Sequence, residues 1–281
     1  MKKIVVPVDF SANSKKAVRF AIQLASKTKS EIIFLHIVKL MSPTTDVLWD
    51  YAYYSQFQED GLKASENYLI KLIKRLYNKN LPAGVNYKCV CLMSAEVSNE
   101  IIDYAKKHKA DFICIGASGT NFLGKLFGTV TTQMIIHSPI PVFVIPKNYR
   151  NKPLTEICYA SDMENPEPEI TNVISLTKAL QAKLNVIHYD YEIGLEENKE
   201  KLTYIANKFM SKNIKFNYRE LDALYPLNEH LRKAVEELKP SLVVLFTKQD
   251  RRWFDRMMIS SNSVDMSFSI KVPLLVFRKP T

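Results

Sequence analysis

The chain is written twice. Ile4-Val5-Val6-Pro7-Val8-Asp9 and Ile157-Cys158-Tyr159-Ala160-Ser161-Asp162 are apolar runs that both end in aspartate. Ile32-Ile33-Phe34-Leu35-His36 returns as Leu184-Asn185-Val186-Ile187-His188. Asp111-Phe112-Ile113-Cys114-Ile115-Gly116 returns as Leu242-Val243-Val244-Leu245-Phe246-Thr247, and Ile140-Pro141-Val142-Phe143-Val144-Ile145 as Val272-Pro273-Leu274-Leu275-Val276-Phe277. The order is the same in both halves, so whatever one half folds into the other must fold into again. The offset between matched runs narrows along the chain. The first copy therefore carries an insertion, which falls within residues 39–57, between its second strand and second helix. A polar stretch at 148–155, containing Pro153, separates the copies and predicts domains at 1–150 and 151–281.

Within each copy, short apolar runs alternate with amphipathic stretches. Residues 12–26 place Ala17, Val18, Phe20, Ala21 and Leu24 on one helical face. Residues 64–76 do the same with Tyr68, Leu69, Leu72 and Ile73, and 97–108 with Val97, Ile101, Ile102 and Ala105. Strands alternating with helices predict a parallel sheet covered on both faces. Uninterrupted runs such as Phe112-Ile113-Cys114-Ile115 suit strands buried on both sides. The expected fold is α/β, with two tandem five-stranded, doubly wound, Rossmann-like domains.

Several classes of protein are excluded at this stage. No apolar run approaches the length of a membrane span. The opening Met1-Lys2-Lys3-Ile4-Val5-Val6-Pro7-Val8-Asp9 is too short in its apolar part for a signal peptide, so a cytoplasmic location without membrane association is expected. Cys89, Cys91, Cys114 and Cys158 form no Cys-x-x-Cys pair and read as reduced core or near-core thiols. The five histidines show no metal-binding spacing, and no metal site is expected. The net charge of +10 is carried almost entirely by residues 1–150. That favours an anionic ligand in the first copy. No basic run interleaved with aromatics accompanies it, so nucleic acid is not expected.

The first copy also holds the glycines. Of the seven in the chain, Gly116, Gly119, Gly124 and Gly128 fall together, directly after an apolar run and before a helical segment. Strand, glycine loop and helix is an arrangement that turns backbone N–H groups toward a phosphate. Ligands of such sheets bind beyond the carboxyl ends of the strands, which here are Asp9, Ile37-Val38 and the Gly116 loop. The stretch Gly119-Thr120-Asn121-Phe122-Leu123-Gly124-Lys125-Leu126 nearly spells a P-loop, but Leu126 offers no hydroxyl to a metal and the loop follows the wrong strand. A second reading stays open: a tight loop that packs a helix on the sheet and binds nothing. Asp9 and Asp162 can likewise cap the following helix. His36 and His188 read as half-buried strand-end residues rather than catalytic bases.

These motifs together resemble the universal stress protein family, in a tandem two-domain form that covers essentially the whole chain. The resemblance rests on Pro7-Val8-Asp9-Phe10-Ser11, on Leu35-His36-Ile37, on Gly116-x2-Gly119 followed by Gly128-Thr129, and on the closing strand from Ser138 to Ile145. The loop is one residue shorter than the family's Gly-x2-Gly-x9-Gly-(Ser/Thr), and Ser94-Ala95-Glu96-Val97 stands where the family has Gly-x-Pro. The resemblance implies the adenine nucleotide α-hydrolase-like fold and ATP, with Mg²⁺, as ligand. Pro7, Val8 and Asp9 would then lie against the nucleoside, with Asp9 contacting ribose and adenine. Ile37 would meet adenine through its main chain and Ile115 would form a wall. Gly116, Gly119, Gly128, Thr129 and Val130 would hold the phosphates, and Thr129 is the one evident ligand for Mg²⁺. No residue presents itself as a general base, so a sensor or regulator of the stress response is expected, with at most slow hydrolysis. Two other readings stand beside it: a nucleotide-free interaction scaffold, and an enzyme acting on a nucleotide-like substrate.

The second copy keeps the fold pattern and changes the loop. Thr247, Asp250 and Ser260 stand where glycines would, with Ser261 at the hydroxyl position, and Arg251, Arg252 and Arg256 nearby. It reads as a degenerate domain that does not bind nucleotide. Trp49, Tyr51, Tyr53 and Tyr54 in the insertion suit either a protein partner or a lid. The family's habit of pairing through last strands leads us to expect Val142-Phe143-Val144-Ile145 to meet Leu274-Leu275-Val276-Phe277, as an intramolecular pseudo-dimer, or a homodimer in its place.

Overall fold

The apolar runs fold as strands, and the amphipathic stretches between them as helices. The architecture is taken from a computed structural model, which describes residues 3–40, 51–80, 85–117, 129–190, 196–220, 227–247 and 272–279. The chain divides into two compact units, Met1–Gly116 and Ala117–Thr281.

In the first unit, β1 (Lys3–Pro7), β2 (Glu31–Lys39), β3 (Tyr87–Ser94) and β4 (Phe112–Gly116) lie in the order β3-β2-β1-β4, all parallel. Ile4, Val5 and Val6 and the run Ile32 to Leu35 are buried, as expected of strands covered on both faces. Helix α1 (Ala12–Thr28) begins at Ser11, whose hydroxyl accepts from the Ser14 N–H, and ends at Lys29 in the left-handed region with φ 53°. Its Ala17, Val18, Phe20, Ala21 and Leu24 are all buried, and burying a side chain the size of leucine contributes roughly 1.5–3 kcal/mol.

Helix α2 (Tyr51–Asn80) is longer than its periodicity predicts, because it begins inside the expected insertion. Trp49 lies outside the described residues, while Tyr51, Tyr53 and Tyr54 belong to the first turns of the helix. Leu69, Leu72 and Ile73 are buried as expected, but Tyr68 is 53% exposed. Helix α3 (Val97–Lys107) buries Ile101, Ile102 and Ala105.

The second unit opens with α4 (Thr129–His137) and β5 (Val142–Ile145). It continues through β6 (Glu156–Ser161), α5 (Pro166–Leu180), β7 (Lys183–Asp190), α6 (Glu196–Phe209), β8 (Ile214–Glu220), α7 (Leu227–Leu238), β9 (Leu242–Thr247) and β10 (Leu274–Arg278). Its strand order is β5-β10-β9-β6-β7-β8. The succession β10-β9-β6-β7-β8 is parallel and repeats, with one strand more, the order seen in the first unit. Only β5 runs the other way, with Leu274 opposite Val144 and Val276 opposite Val142. The expected pairing of the two closing strands is thus present within one chain.

All four cysteines are free thiols. Cys114 and Cys158 are buried, and burial pushes both thiols up. Cys89 and Cys91 are half-buried on β3. Desolvation, and then the Glu66 carboxylate, raise each to about 11, so both stay protonated at neutral pH. Among the described residues no helix is long and apolar enough to cross a membrane.

Candidate functional site

The carboxyl ends of β1, β2 and β4 are adjacent in the first unit, and they bring together Pro7, Val8, Asp9, Ile37, Ile115 and Gly116. Val8 is buried and its N–H donates to the Leu35 carbonyl at 2.8 Å. The backbone then turns at Phe10, which takes φ 63° without being glycine. This turn lets Asp9 Oδ1 accept from the Ser11 N–H at 3.0 Å, immediately before Ser11 caps α1. Partial burial alone would raise the Asp9 carboxyl, but hydrogen bonds from the Ser11 and Ser14 side chains and the Ser11 backbone outweigh it and hold it below its ordinary value. Asp9 is therefore an anion at neutral pH, able to accept from a ligand hydroxyl or amine. Capping geometry and ligand contact are compatible here, since Asp9 precedes the cap and Ser11 is the cap itself.

Register explains what Ile37 offers. Pro7 opposite Leu35 is the last pair between β1 and β2. Backbone groups alternate sides along a strand, so Ile37 turns its N–H and C=O the same way as Leu35, toward the side that β1 has already left. Ile37 itself lies opposite Leu92 of β3. At the end of β4, Ile115 and Gly116 are buried. A Cβ on Gly116 would lie 2.5 Å from the Asn13 carbonyl oxygen, so this glycine is needed where β4 meets the first turn of α1. That is the packing role for Gly116, whatever the rest of the loop does. Thr129 and Val130 are the first residues of α4 in the second unit. Gly119, Gly124 and Gly128 lie outside the described residues.

The sequence reading missed an aromatic cluster beside Asp9. The Phe10 ring lies 4.4 Å from the His36 ring and 4.8 Å, edge-on, from Tyr68. His36 Nδ1 sits 2.6 Å from the Val8 carbonyl. A carbonyl only accepts, so Nδ1 carries the proton and the imidazole ties β2 to the end of β1. The signal for this cluster was available in Phe10 and His36, both inside quoted motifs. Tyr68 was hidden because its spacing assigned it to the buried face.

The second copy reproduces the turn and alters its chemistry. Met163 takes φ 58°, Asp162 Oδ1 accepts from the Glu164 N–H at 3.2 Å, and His188 Nδ1 bonds the Ser161 carbonyl at 2.9 Å. Both histidines are thus strand tethers. Asp162 is held by an ammonium group from its own chain, which among the described residues Asp9 is not: Lys279 Nζ pairs with Asp162 Oδ2 and, at 2.9 Å, with Glu164 Oε2. Lys279 is only 8% exposed. Beneath this pair, the fully buried Tyr159 hydroxyl donates to Glu169 Oε2 and lies 3.1 Å from Ser161 Oγ. The Glu169 carboxylate is buried as well, and its Oε1 has no hydrogen-bond partner among the described residues. Asp250, Ser260, Ser261 and the arginines at 251, 252 and 256 lie outside the described residues.

Residues 1–146 match the model of the universal stress protein family. Universal stress protein MJ0531 of Methanocaldococcus jannaschii is 29% identical over 147 residues, spanning 52% of this chain and 82% of that protein. Universal stress protein YxiE of Bacillus subtilis is 25% identical over 145 residues, spanning 51% of this chain and 97% of the relative. A crystal structure of a universal stress protein from Archaeoglobus fulgidus shares the fold over 98% of both chains, with a TM-score of 0.68 at 16% identity. With the family model covering half of the sequence and the repeated fold covering nearly all of it, the chain belongs to the universal stress protein family.

Proposed function

We propose that this protein binds ATP through its first copy and acts as a sensor or regulator in the stress response, from the cytoplasm. The observation that carries the reading is Asp9, held ionised at the end of β1 beside a strand whose Ile37 backbone turns past the end of β1. An anionic acceptor next to backbone groups that β1 does not pair suits the ribose and base of a nucleotide. Gly119, Gly128, Thr129 and Val130 are proposed to hold the phosphates, with Thr129 available to Mg²⁺. The copy at 151–281 is proposed not to bind, because Asp162 is already engaged by Lys279.

Calorimetric titration of the full chain with ATP tests this. Saturable binding is expected. Asp9→Ala should weaken it by about tenfold or more, since a hydrogen bond to a charged group is worth roughly 1.5–3 kcal/mol and 1.4 kcal/mol is tenfold. Gly119→Val should abolish binding while leaving the unfolding midpoint close to that of the wild type, because a β-branched residue is disfavoured at positive φ and would crowd a phosphate cradle. No binding at millimolar ATP would instead favour the nucleotide-free scaffold. Normal binding by a folded Gly119→Val chain would remove the loop from the site.

A further inference from the structure

The second unit contains a cleft at the opposite end of its sheet from Asp162. It has a volume of about 500 Å³ and lies where Thr155, Ser241 and Pro273 lead into β6, β9 and β10. Its size falls within the roughly 300–1,000 Å³ range of small-molecule pockets. The floor is apolar and firm. Tyr149, Pro240 and Pro273 are buried there. Backbone bonds from Ser241 N–H to the Glu156 carbonyl at 2.7 Å and from Val243 N–H to the Pro273 carbonyl at 3.0 Å fix the strand entries. Ser241 Oγ also accepts from the Thr155 N–H at 3.0 Å. These bonds fix one side of the cleft at the strand entries, while Asn148, Tyr149, Arg150 and Lys152 reach it from the segment that joins β5 to β6.

Its rim is cationic. Arg150, Lys152 and Lys239 line it, all three exposed. Two features oppose them. Glu236 is on the rim, but its carboxylate is 2.8 Å from the Arg232 guanidinium. The carboxyl end of α7 brings about half a negative charge, and Lys239 sits at that end, at φ 46°, with its N–H on the Val235 carbonyl at 2.9 Å. The balance stays positive. An apolar, ring-bearing floor under a positive rim matches a ligand with an apolar body and a compact anionic group.

We propose that this cleft is a second ligand site, taking a small phosphate ester whose ring or other apolar body rests on Tyr149 and the prolines while Arg150, Lys152 and Lys239 hold the phosphate. The proposal does not rest on ATP binding by the first copy. Titration of the full chain with phenyl phosphate, a ring carrying one phosphate, followed by NMR or calorimetry, tests it. Saturable binding is expected, with phenol, the uncharged ring, at least about tenfold weaker because the charge-assisted hydrogen bonds are missing. The double variant Arg150→Glu/Lys239→Glu should lower phenyl phosphate affinity by about tenfold or more, with an unchanged unfolding midpoint, while Asp9→Ala leaves the affinity as it was. If the double variant does not fold, Lys152→Glu alone is read in its place and must also weaken binding. Absence of saturable binding at millimolar probe, equal affinity for phenol, indifference to charge reversal, or loss of binding in Asp9→Ala would each overturn the assignment.

Discussion

Replacing Gly116 with valine is expected to lower the stability of the chain by about 3 kcal/mol, at the upper end of what overpacking costs. The Cβ alone would lie 2.5 Å from the Asn13 carbonyl oxygen, 2.6 Å from its carbon and 3.0 Å from the Ser14 nitrogen. These are main-chain atoms, so no side chain can rotate away. They belong to the first turn of α1, and Ala17, Val18 and Ala21, one and two turns on along the same helical face, hold the helix in the core. Relief requires moving the helix off β4 or breaking its cap at Ser11. Because the clash begins at Cβ, alanine should suffer most of the same loss. Urea unfolding of both variants measures it. A midpoint equal to the wild type would mean that α1 yields at no cost and that the close approach is not a requirement of the fold. The contrast with Gly119→Val matters: one glycine is expected to report on stability and the other on binding.

Tyr159→Phe should also be costly, by about 1–3 kcal/mol at neutral pH, the penalty for leaving a buried acceptor without its donor. The lost hydroxyl donates to Glu169, whose other oxygen has no partner among the described residues. Burial raises the Glu169 carboxyl, while the Tyr159 hydrogen bond and Lys279 pull it down, and Asp162 and Glu164 add to the rise. The net shift is upward, so the folded chain keeps a proton on Glu169 at pH values where the unfolded chain, titrating near 4.5, has lost it. Stability from this group is therefore present below that value and declines as pH rises through the folded value. Removing the hydroxyl that favours the carboxylate raises the folded value further and extends the decline. The penalty of Tyr159→Phe should accordingly shrink when unfolding is measured at mildly acidic pH. An identical penalty at acidic and neutral pH would separate the hydroxyl from Glu169 ionisation.

Strand identity was legible because a buried parallel strand has to be continuously apolar and because the pattern occurs twice. The β1 and β2 runs and the faces of α1 and α3 follow from that, whereas the pairing of β5 with β10 was expected only through the family resemblance. The turn after β1 was legible only as an aspartate and a cap. Nothing local to Phe10 or Met163 announces a positive φ in a non-glycine residue; the cap and strand on either side impose it. Tyr68 deceived the periodicity because a tyrosine can sit at the margin of a buried stripe and turn its ring onto a neighbour outside the core. The partner of Asp162 was invisible for a different reason. Lys279 is more than a hundred positions away in sequence, and only the parallel closure of β9 and β10 brings it to the end of β6. Tyr159 and Ser161 were read simply as members of an apolar run, and Glu169 drew no notice, since hydrogen bonding between buried polar groups leaves no periodic trace.

The antiparallel meeting of β5 with β10 has a consequence for how the two copies can diverge. When a repeated unit joins its twin as a separate molecule, both are specified by the same residues, and any change is imposed on both sides at once. Encounter then also depends on dilution. Covalent fusion removes both constraints: the partner is always present at high effective concentration, and each half is free to mutate alone. This chain has used that freedom around its two matching aspartates. Asp9 is stabilised by serines at a helix start, whereas Asp162 is bound by a lysine from the closing strand over a buried tyrosine–glutamate pair. A symmetric assembly of identical chains could not hold both arrangements in one protein.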